Sequence, residues 1–242
     1  MIVRRHVFWG ARSDRPTPNE FEGVSEVNLD QARNNMIEQQ VRTWDVLDGR
    51  VLDVLKDVPR EDFVPTRHRK LAFADLRVPL GHDQVMMKPI EQGRVLQGLG
   101  LTGSEQVLEV GTGSGFLTAC LARLAARVTS LEIVEALAEQ ARKNLEAHSI
   151  DRVELIHADL FKAGLEERFD AIVVTASVPV IPALLTDRLV TGGRLFIVRG
   201  HSPAMEAVVV TRTESGKLSV DSMFDTVLPR LIGAEDVPQF DF

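Results

Sequence analysis

The chain has 242 residues, 44% of them hydrophobic and 26% charged, with a formal net charge of −7. This is an ordinary globular composition with enough chain for one sizeable core, and an acidic balance without a lysine or arginine block excludes a nucleic-acid backbone as the expected partner. A single cysteine, Cys120, excludes a disulfide framework and a cysteine-rich zinc site, and no apolar run reaches the length of a transmembrane helix.

Residues 1–26 mix Arg4, Arg5, Arg12 and Arg15 with Asp14, Glu20, Glu22 and Glu26, and carry Pro16, Pro18 and Gly23. Without a long apolar stretch they read as an unstructured lead and not a secretory signal, so a cytoplasmic location is expected. Leu29, Ala32, Met36, Ile37, Val41 and Trp44 then recur at helical spacing behind Asn28, a good N-cap. Val46 to Leu55 predict a second short helix started by Asp45. Prolines bracket Val58 to Pro65 as an extended or turn segment, and Val78 to Pro89 reads as an irregular loop leading into a helix over 90–99.

From there strands and helices alternate. Strands are predicted at 105–110, 128–132, 153–157, 169–175 and 193–199, and helices near 114–126, 134–147 and 180–189. Apolar strands separated by helices predict an α/β fold with a parallel sheet covered on both faces. Segments 207–212 and 218–228, split by Glu214-Ser215-Gly216-Lys217, predict a C-terminal antiparallel hairpin.

The most informative stretch is Val107-Leu-Glu-Val-Gly-Thr-Gly-Ser-Gly-Phe-Leu117, a strand, a turn with glycines at alternate positions, and a helix. Gly111, Gly113 and Gly115 allow positive φ and close approach of a ligand to the backbone, and the helix start leaves N–H groups unpaired. The spacing is not that of a dinucleotide pyrophosphate loop, and Glu109 would repel phosphate and suit a cationic group such as an ammonium. Glu132, at the end of the next strand, is placed for the two ribose hydroxyls of a nucleoside. A nucleoside joined to an amino acid without phosphate is S-adenosyl-L-methionine. Asp159, after the third strand, is placed for the adenine or for a neighbouring N–H, with a plain turn role as the alternative. Thr112, Ser114 and Leu160 complete the expected cofactor contacts.

With those residues in place the chain resembles the protein-L-isoaspartate O-methyltransferase family. The resemblance runs from residue 29 to the C-terminus and rests on Val58-Pro-Arg-Glu-Asp-Phe-Val-Pro65, the glycine stretch, Phe169-Asp-Ala-Ile-Val-Val-Thr-Ala176 with Pro179 and Pro182, and Gly192-Gly-Arg-Leu195. It implies a Rossmann-like three-layer methyltransferase fold, mainly parallel with the C-terminal antiparallel hairpin. It also implies transfer of a methyl group from S-adenosyl-L-methionine to the side-chain carboxylate of isoaspartyl residues in damaged proteins, a protein-repair activity. Residues 27–100 would form a helical cap bearing the acceptor loop, and 101–242 the cofactor-binding core, together one compact unit.

One departure matters. The family shows Gly-x-Gln-Thr-Ile-Ser-Gln-Pro ahead of the helix before the cofactor strand. Here Gln84 and Pro89 remain, but Val85 replaces the Thr and Met87 the Ser. Methyl transfer to an ionised carboxylate needs positioning more than a base, and apolar side chains offer no donor to position it. Complete or severe loss of isoaspartyl activity is therefore expected, with two considerations against it: Lys88 offers a cationic donor, and the alternative for Met86 and Met87 is to pack inward as core. The alternatives are a more apolar small-molecule acceptor, or a protein that binds the cofactor without catalysis. His6, His68, His82, His148, His157 and His201 are scattered, so no metal is expected. Neither nucleic acid nor membrane is an expected partner, and a monomer is the expected state.

Overall fold

A computed structural model describes residues 28–234, and its organising element is a seven-stranded sheet. The expectation for residues 1–26 lies outside the described residues. The parallel part comprises β3 (Gln106–Val110), β4 (Arg127–Glu132), β5 (Val153–His157), β6 (Phe169–Val178) and β7 (Leu189–His201). Two antiparallel strands, β8 (Ala204–Arg212) and β9 (Leu218–Asp225), complete the order β5-β4-β3-β6-β7-β8-β9. The strand order reverses direction between β3 and β6. Such a switch point leaves a crevice at the carboxyl ends of the strands, where ligands of open α/β sheets bind.

Ahead of the sheet come α1 (Leu29–Met36), α2 (Gly49–Asp57), a two-stranded hairpin of β1 (Val78–Gly81) and β2 (Gln84–Met86), and α3 (Pro89–Leu99). The crossover helices are α4 (Phe116–Leu124), α5 (Glu135–Ala147) and the single turn α6 (Ala183–Thr186). One hydrophobic cluster joins Met36, Leu55 and Phe63 of the N-terminal segment to Leu121, Phe196 and Val198 of the sheet layer. The cap and the sheet therefore share a core.

Several boundaries differ from the sequence expectation, each for a local reason. The first helix does not run unbroken to Trp44. It loosens into a π-turn over Ile37–Val41 and tightens into a 3-10 turn over Arg42–Trp44. Asp45, with a left-handed φ of 59°, ends that run and does not start the next helix. Asp48 is the N-cap of α2, its side chain accepting from Arg50 N at 2.9 Å. The predicted helix over 180–189 shrinks to α6, because Pro179 and Pro182 favour extended backbone just before them. β6 runs on to Val178 because the C-terminal segment pairs with it, with Ser177 N donating to Pro229 O and Leu231 N to Ser177 O, both at 2.8 Å. In β7, residues 190–193 bulge out, since Phe169 pairs with Leu189 but Ala171 with Arg194.

The two faces of the sheet are covered unequally. Helices α2 to α5 pack on one face. On the other, Leu108, Ile172 and Leu195 are buried by α6 and by irregular chain contributing Leu160, Leu165, Ile181 and Leu231. Residues 158–168 carry Asp159, Lys162, Gly164, Glu166, Glu167 and Arg168 with no helical apolar stripe, so a connection without a helix follows from the sequence. Among the described residues no helix is long and apolar enough to cross a membrane.

Candidate functional site

The carboxyl ends of β3, β4 and β6 open into one cavity of about 590 Å³, counted out to its mouth. It is lined by Val110, Gly111 and Gly113 of the glycine loop, by Glu132 and Ile133 after β4, and by Leu160 and Ala176. From the N-terminal hairpin, Leu80, Gln84 and Val85 reach the same space, and from the C-terminal segment Arg230, Leu231 and Ile232 do. The glycine loop and the N-terminal hairpin thus line one space.

The glycines act as the spacing predicts, each with positive φ: 94° at Gly111, 57° at Gly113 and 85° at Gly115. A Cβ on Gly111 would run into Thr175 Oγ1, and one on Gly113 would come within 3.1 Å of Leu80 Cδ1 under the hairpin. Gly115 has a different task. Its Cβ would meet Ala141 only at ordinary contact distance, so the glycine supplies the left-handed φ that starts α4 and does not line the cavity. Thr175 Oγ1 donates to Gly111 O at 2.7 Å and to Val110 O at 3.2 Å, tying the loop to β6.

Glu132 is 4% exposed, and its carboxylate accepts from Gly113 N at 2.8 Å and Val134 N at 2.9 Å. Each carboxylate oxygen can accept more than one hydrogen bond, so this acid suits a pair of ribose hydroxyls at the cavity wall. Glu109 is placed differently from expectation. It is fully buried beneath the loop, where its Oε2 accepts from Thr118 Oγ1 at 2.5 Å and Ser130 Oγ at 2.7 Å. Because the Ser130 proton is committed to Glu109, the Thr112 hydroxyl donates to Ser130 Oγ at 2.6 Å. Glu109 Oε1 is buried without a hydrogen-bond partner. Burial pushes its pKa up from the ordinary 4.5 to about 7, against the pull of the Thr118 and Ser130 hydroxyls and with a further push from the Glu132 charge. Glu109 thus supports the loop from below and does not line the cavity to meet an ammonium directly.

Asp159 is half-buried and also does not line the cavity, although its neighbours Ala158 and Leu160 do. Its carboxylate receives Phe161 N at 2.9 Å and pairs with Lys162 at 3.0 Å, which holds its pKa below the ordinary value. The turn alternative describes this geometry. Ser114 and Thr112 border a smaller cleft behind the loop.

The acceptor loop is not irregular. It is the β1–β2 hairpin, turned by His82 and Asp83 with φ of 54° and 57°, the paired left-handed conformations of a type I′ turn. Gln84 and Val85 line the cavity, whereas Met86 and Met87 are 4% and 3% exposed, belong to the core and border only the smaller cleft behind the glycine loop. Of the two lost hydroxyls, only the one at position 85 changes the cavity wall. Lys88 does not line it either. Its Nζ approaches Asp75 at 3.4 Å, and its backbone N–H starts α3 by donating to Glu91 at 3.0 Å.

Sequence reasoning missed Arg60, Thr175 and Arg230. Arg60 is fully buried, donating to Ala72 O and Met87 O at 2.7 Å and to Gln92, and so fixes the exit of the hairpin. Burial lowers its pKa well below the ordinary guanidinium range, to about 9. Arg60 and Thr175 lie inside the family-like stretches and were open to notice there. Arg230 follows the predicted hairpin with no pattern around it. Among the described residues no group of three or more His, Cys, Asp or Glu is arranged for a metal.

Comparison with known proteins agrees with this geometry. Residues 31–233 match the family model described as protein-L-isoaspartate(D-aspartate) O-methyltransferase. Protein-L-isoaspartate O-methyltransferase 1 of Pelobacter propionicus is 37% identical over 213 residues, covering 86% of this chain and 99% of that protein. The corresponding enzyme of Anaeromyxobacter sp. is 40% identical over 199 residues, covering 81% and 92%. The fold matches a crystal structure from Plasmodium falciparum, a putative protein-L-isoaspartate O-methyltransferase in complex with S-adenosyl-L-homocysteine. That match has a TM-score of 0.72 at 22% identity and covers 85% of this chain and 99% of the other. The chain belongs to the protein-L-isoaspartate O-methyltransferase family.

Proposed function

We propose that this chain methylates the side-chain carboxylate of isoaspartyl residues in proteins or peptides, at reduced efficiency because Val85 offers no donor. As a member of its family it is an S-adenosylmethionine-dependent O-methyltransferase. The observation that carries the reading is one cavity shared by the glycine loop, Glu132 and the tip-proximal hairpin residues Gln84 and Val85. The residues fit the cofactor. Gly113 forms a cradle that a Cβ would close against Leu80, and Glu132 is a buried acid at the cavity wall. Glu132 would hold the ribose, Gly111 and Gly113 the amino-acid end, and Leu160 and Ile133 the flanks of the adenine. When bound, S-adenosylmethionine supplies a methyl group activated on a sulfonium.

The acceptor carboxylate is ionised at neutral pH, so no side chain has to remove a proton. What the chain contributes is orientation and exclusion of water. Gln84 is a donor at the cavity wall, and the apolar side chains of Leu80, Val85 and Leu231 keep water from the reacting oxygen. Losing one hydroxyl donor to a carboxylate lowers kcat/KM by about 10- to 100-fold relative to a hairpin that keeps it. Met87 adds little to that loss because it packs inward.

The test is transfer of labelled methyl from S-adenosylmethionine to an isoaspartyl peptide, with the aspartyl version as control. Base-labile label on the isoaspartyl peptide alone is the expected result. A cofactor-loaded protein that labels neither peptide refutes the proposal. Label on an apolar small molecule instead would favour the second reading, to which the apolar cavity walls also lend themselves.

A further inference from the structure

We propose that Arg230 is the specificity-determining cation that takes up the acceptor carboxylate, an inference that rests on the carboxyl-methylation reading above. A carboxylate entering a cavity walled mostly by apolar side chains needs a compensating charge. Among the described residues that line this cavity, Arg230 is the one cation and Glu132 the one acid. The cations flanking the hairpin are engaged elsewhere, Arg77 with Glu91 and Lys88 with Asp75.

The position of Arg230 is set by the fold. Ser177, the residue after the cavity-lining Ala176 on β6, grips the segment before it. Ser177 N donates to Pro229 O at 2.8 Å, Ser177 Oγ to Leu228 O at 2.9 Å, and Leu231 N returns to Ser177 O at 2.8 Å. The guanidinium is oriented in turn, with Nη1 donating to Gly200 O at 2.7 Å and Ser177 Oγ at 3.2 Å. The cation is therefore held at the carboxyl end of β6, not carried on a loose tail.

Charge sorting follows from the strand order. Glu132 ends β4 and Arg230 is anchored to β6, with β3 between them, a separation of two strand spacings or about 10 Å. A nucleoside held at the Glu132 side leaves an acceptor anion repelled from that end and drawn to the Arg230 side. A guanidinium is suited to this because its planar fork matches the two oxygens of a carboxylate. Arg230 thus supplies from the C-terminal segment what the hairpin lost at Val85. It also turns the site toward anionic acceptors and away from neutral apolar ones.

The experiment compares the full chain with Arg230→Leu and Arg230→Lys, measuring steady-state methylation of an isoaspartyl peptide and calorimetric binding of S-adenosylhomocysteine. Arg230→Leu is expected to raise the peptide KM by about 10- to 100-fold, with cofactor affinity and kcat changed no more than about threefold. Arg230→Lys recovers part of the loss. An unchanged KM overturns the proposal. So does a fall in cofactor affinity without a change in peptide KM, which would assign the cation to the cofactor's own carboxylate. Equal loss of thermal stability, cofactor affinity and turnover in both variants would make Arg230 only a brace. If the unmodified chain transfers no methyl to the peptide, the functional reading fails by itself. Peptide binding to the S-adenosylhomocysteine-loaded protein then decides the inference, which stands if Arg230→Leu abolishes binding and falls if binding is absent or indifferent to it.

Discussion

Replacing Glu109 by Gln tests the buried support beneath the glycine loop. The carboxyl group is raised from 4.5 to about 7, chiefly by burial. The native state therefore keeps its proton from pH 4.5 up to about 7, while the unfolded chain has already lost it. Stability falls across that window and levels off above it, because the native state there binds more protons than the unfolded chain. The shift corresponds to about 3 kcal/mol lost between the two ends of the window. Gln has the same shape and no titration. Its amide oxygen takes over the Thr118 and Ser130 hydroxyls, and its amide nitrogen occupies the place of Oε1, which has no partner. Near pH 5 both proteins carry a neutral buried group, with one unpaired O–H in Glu109 and two unpaired N–H in the Gln, so Glu109→Gln is expected to be no more stable than the unsubstituted chain. Between pH 5 and pH 8 the difference is expected to move in favour of Glu109→Gln by about 3 kcal/mol. Urea denaturation of the ligand-free proteins at pH 5, 6, 7 and 8 gives the two profiles. Parallel profiles would refute the reasoning, since they would mean that Glu109 titrates alike in the folded and unfolded chains.

The hairpin offers a paired prediction. Val85→Thr restores a hydroxyl at the cavity wall and should raise kcat/KM for an isoaspartyl peptide by about tenfold or more. Met87→Ser puts a hydroxyl in the core, where Met87 is 3% exposed, and should cost about 2–5 kcal/mol of stability without raising activity. Chemical denaturation and steady-state kinetics on both variants check this, and a gain in activity from Met87→Ser would contradict the inward placement. Glu132→Ala should weaken S-adenosylhomocysteine binding by at least about tenfold in calorimetry, because it removes both the ribose acceptor and the carboxylate that orders Gly113 and Val134. Unchanged affinity would move the nucleoside away from that wall.

Much of this arrangement is legible in the sequence where the signal is local. The strand, glycine turn and helix around Gly111 follow from spacing alone. The position of Glu132 at the end of β4 follows from the strand pattern. The side on which a residue faces is harder to read. Glu109 and Val110 are neighbours on β3, yet Val110 lines the cavity and Glu109 lies beneath the loop, held by hydroxyls from β4 and α4. In the hairpin, Gln84 and Val85 line the cavity while Met86 and Met87 are buried in the core, a division that follows from where the hairpin packs and not from its local pattern. Other features depend on partners far away in the chain. The extension of β6 needs Pro229 and Leu231, and the cavity position of Arg230 needs Ser177 and Gly200, contacts that no window of sequence contains.

A crystal structure of the complex with S-adenosylhomocysteine tests the central claim most directly. The account predicts the ribose hydroxyls on the Glu132 carboxylate, the amino-acid end over Gly111 and Gly113, and the sulfur facing the space between Val85 and Arg230. A nucleoside bound elsewhere, with the β3–β4–β6 cavity closed, would contradict it.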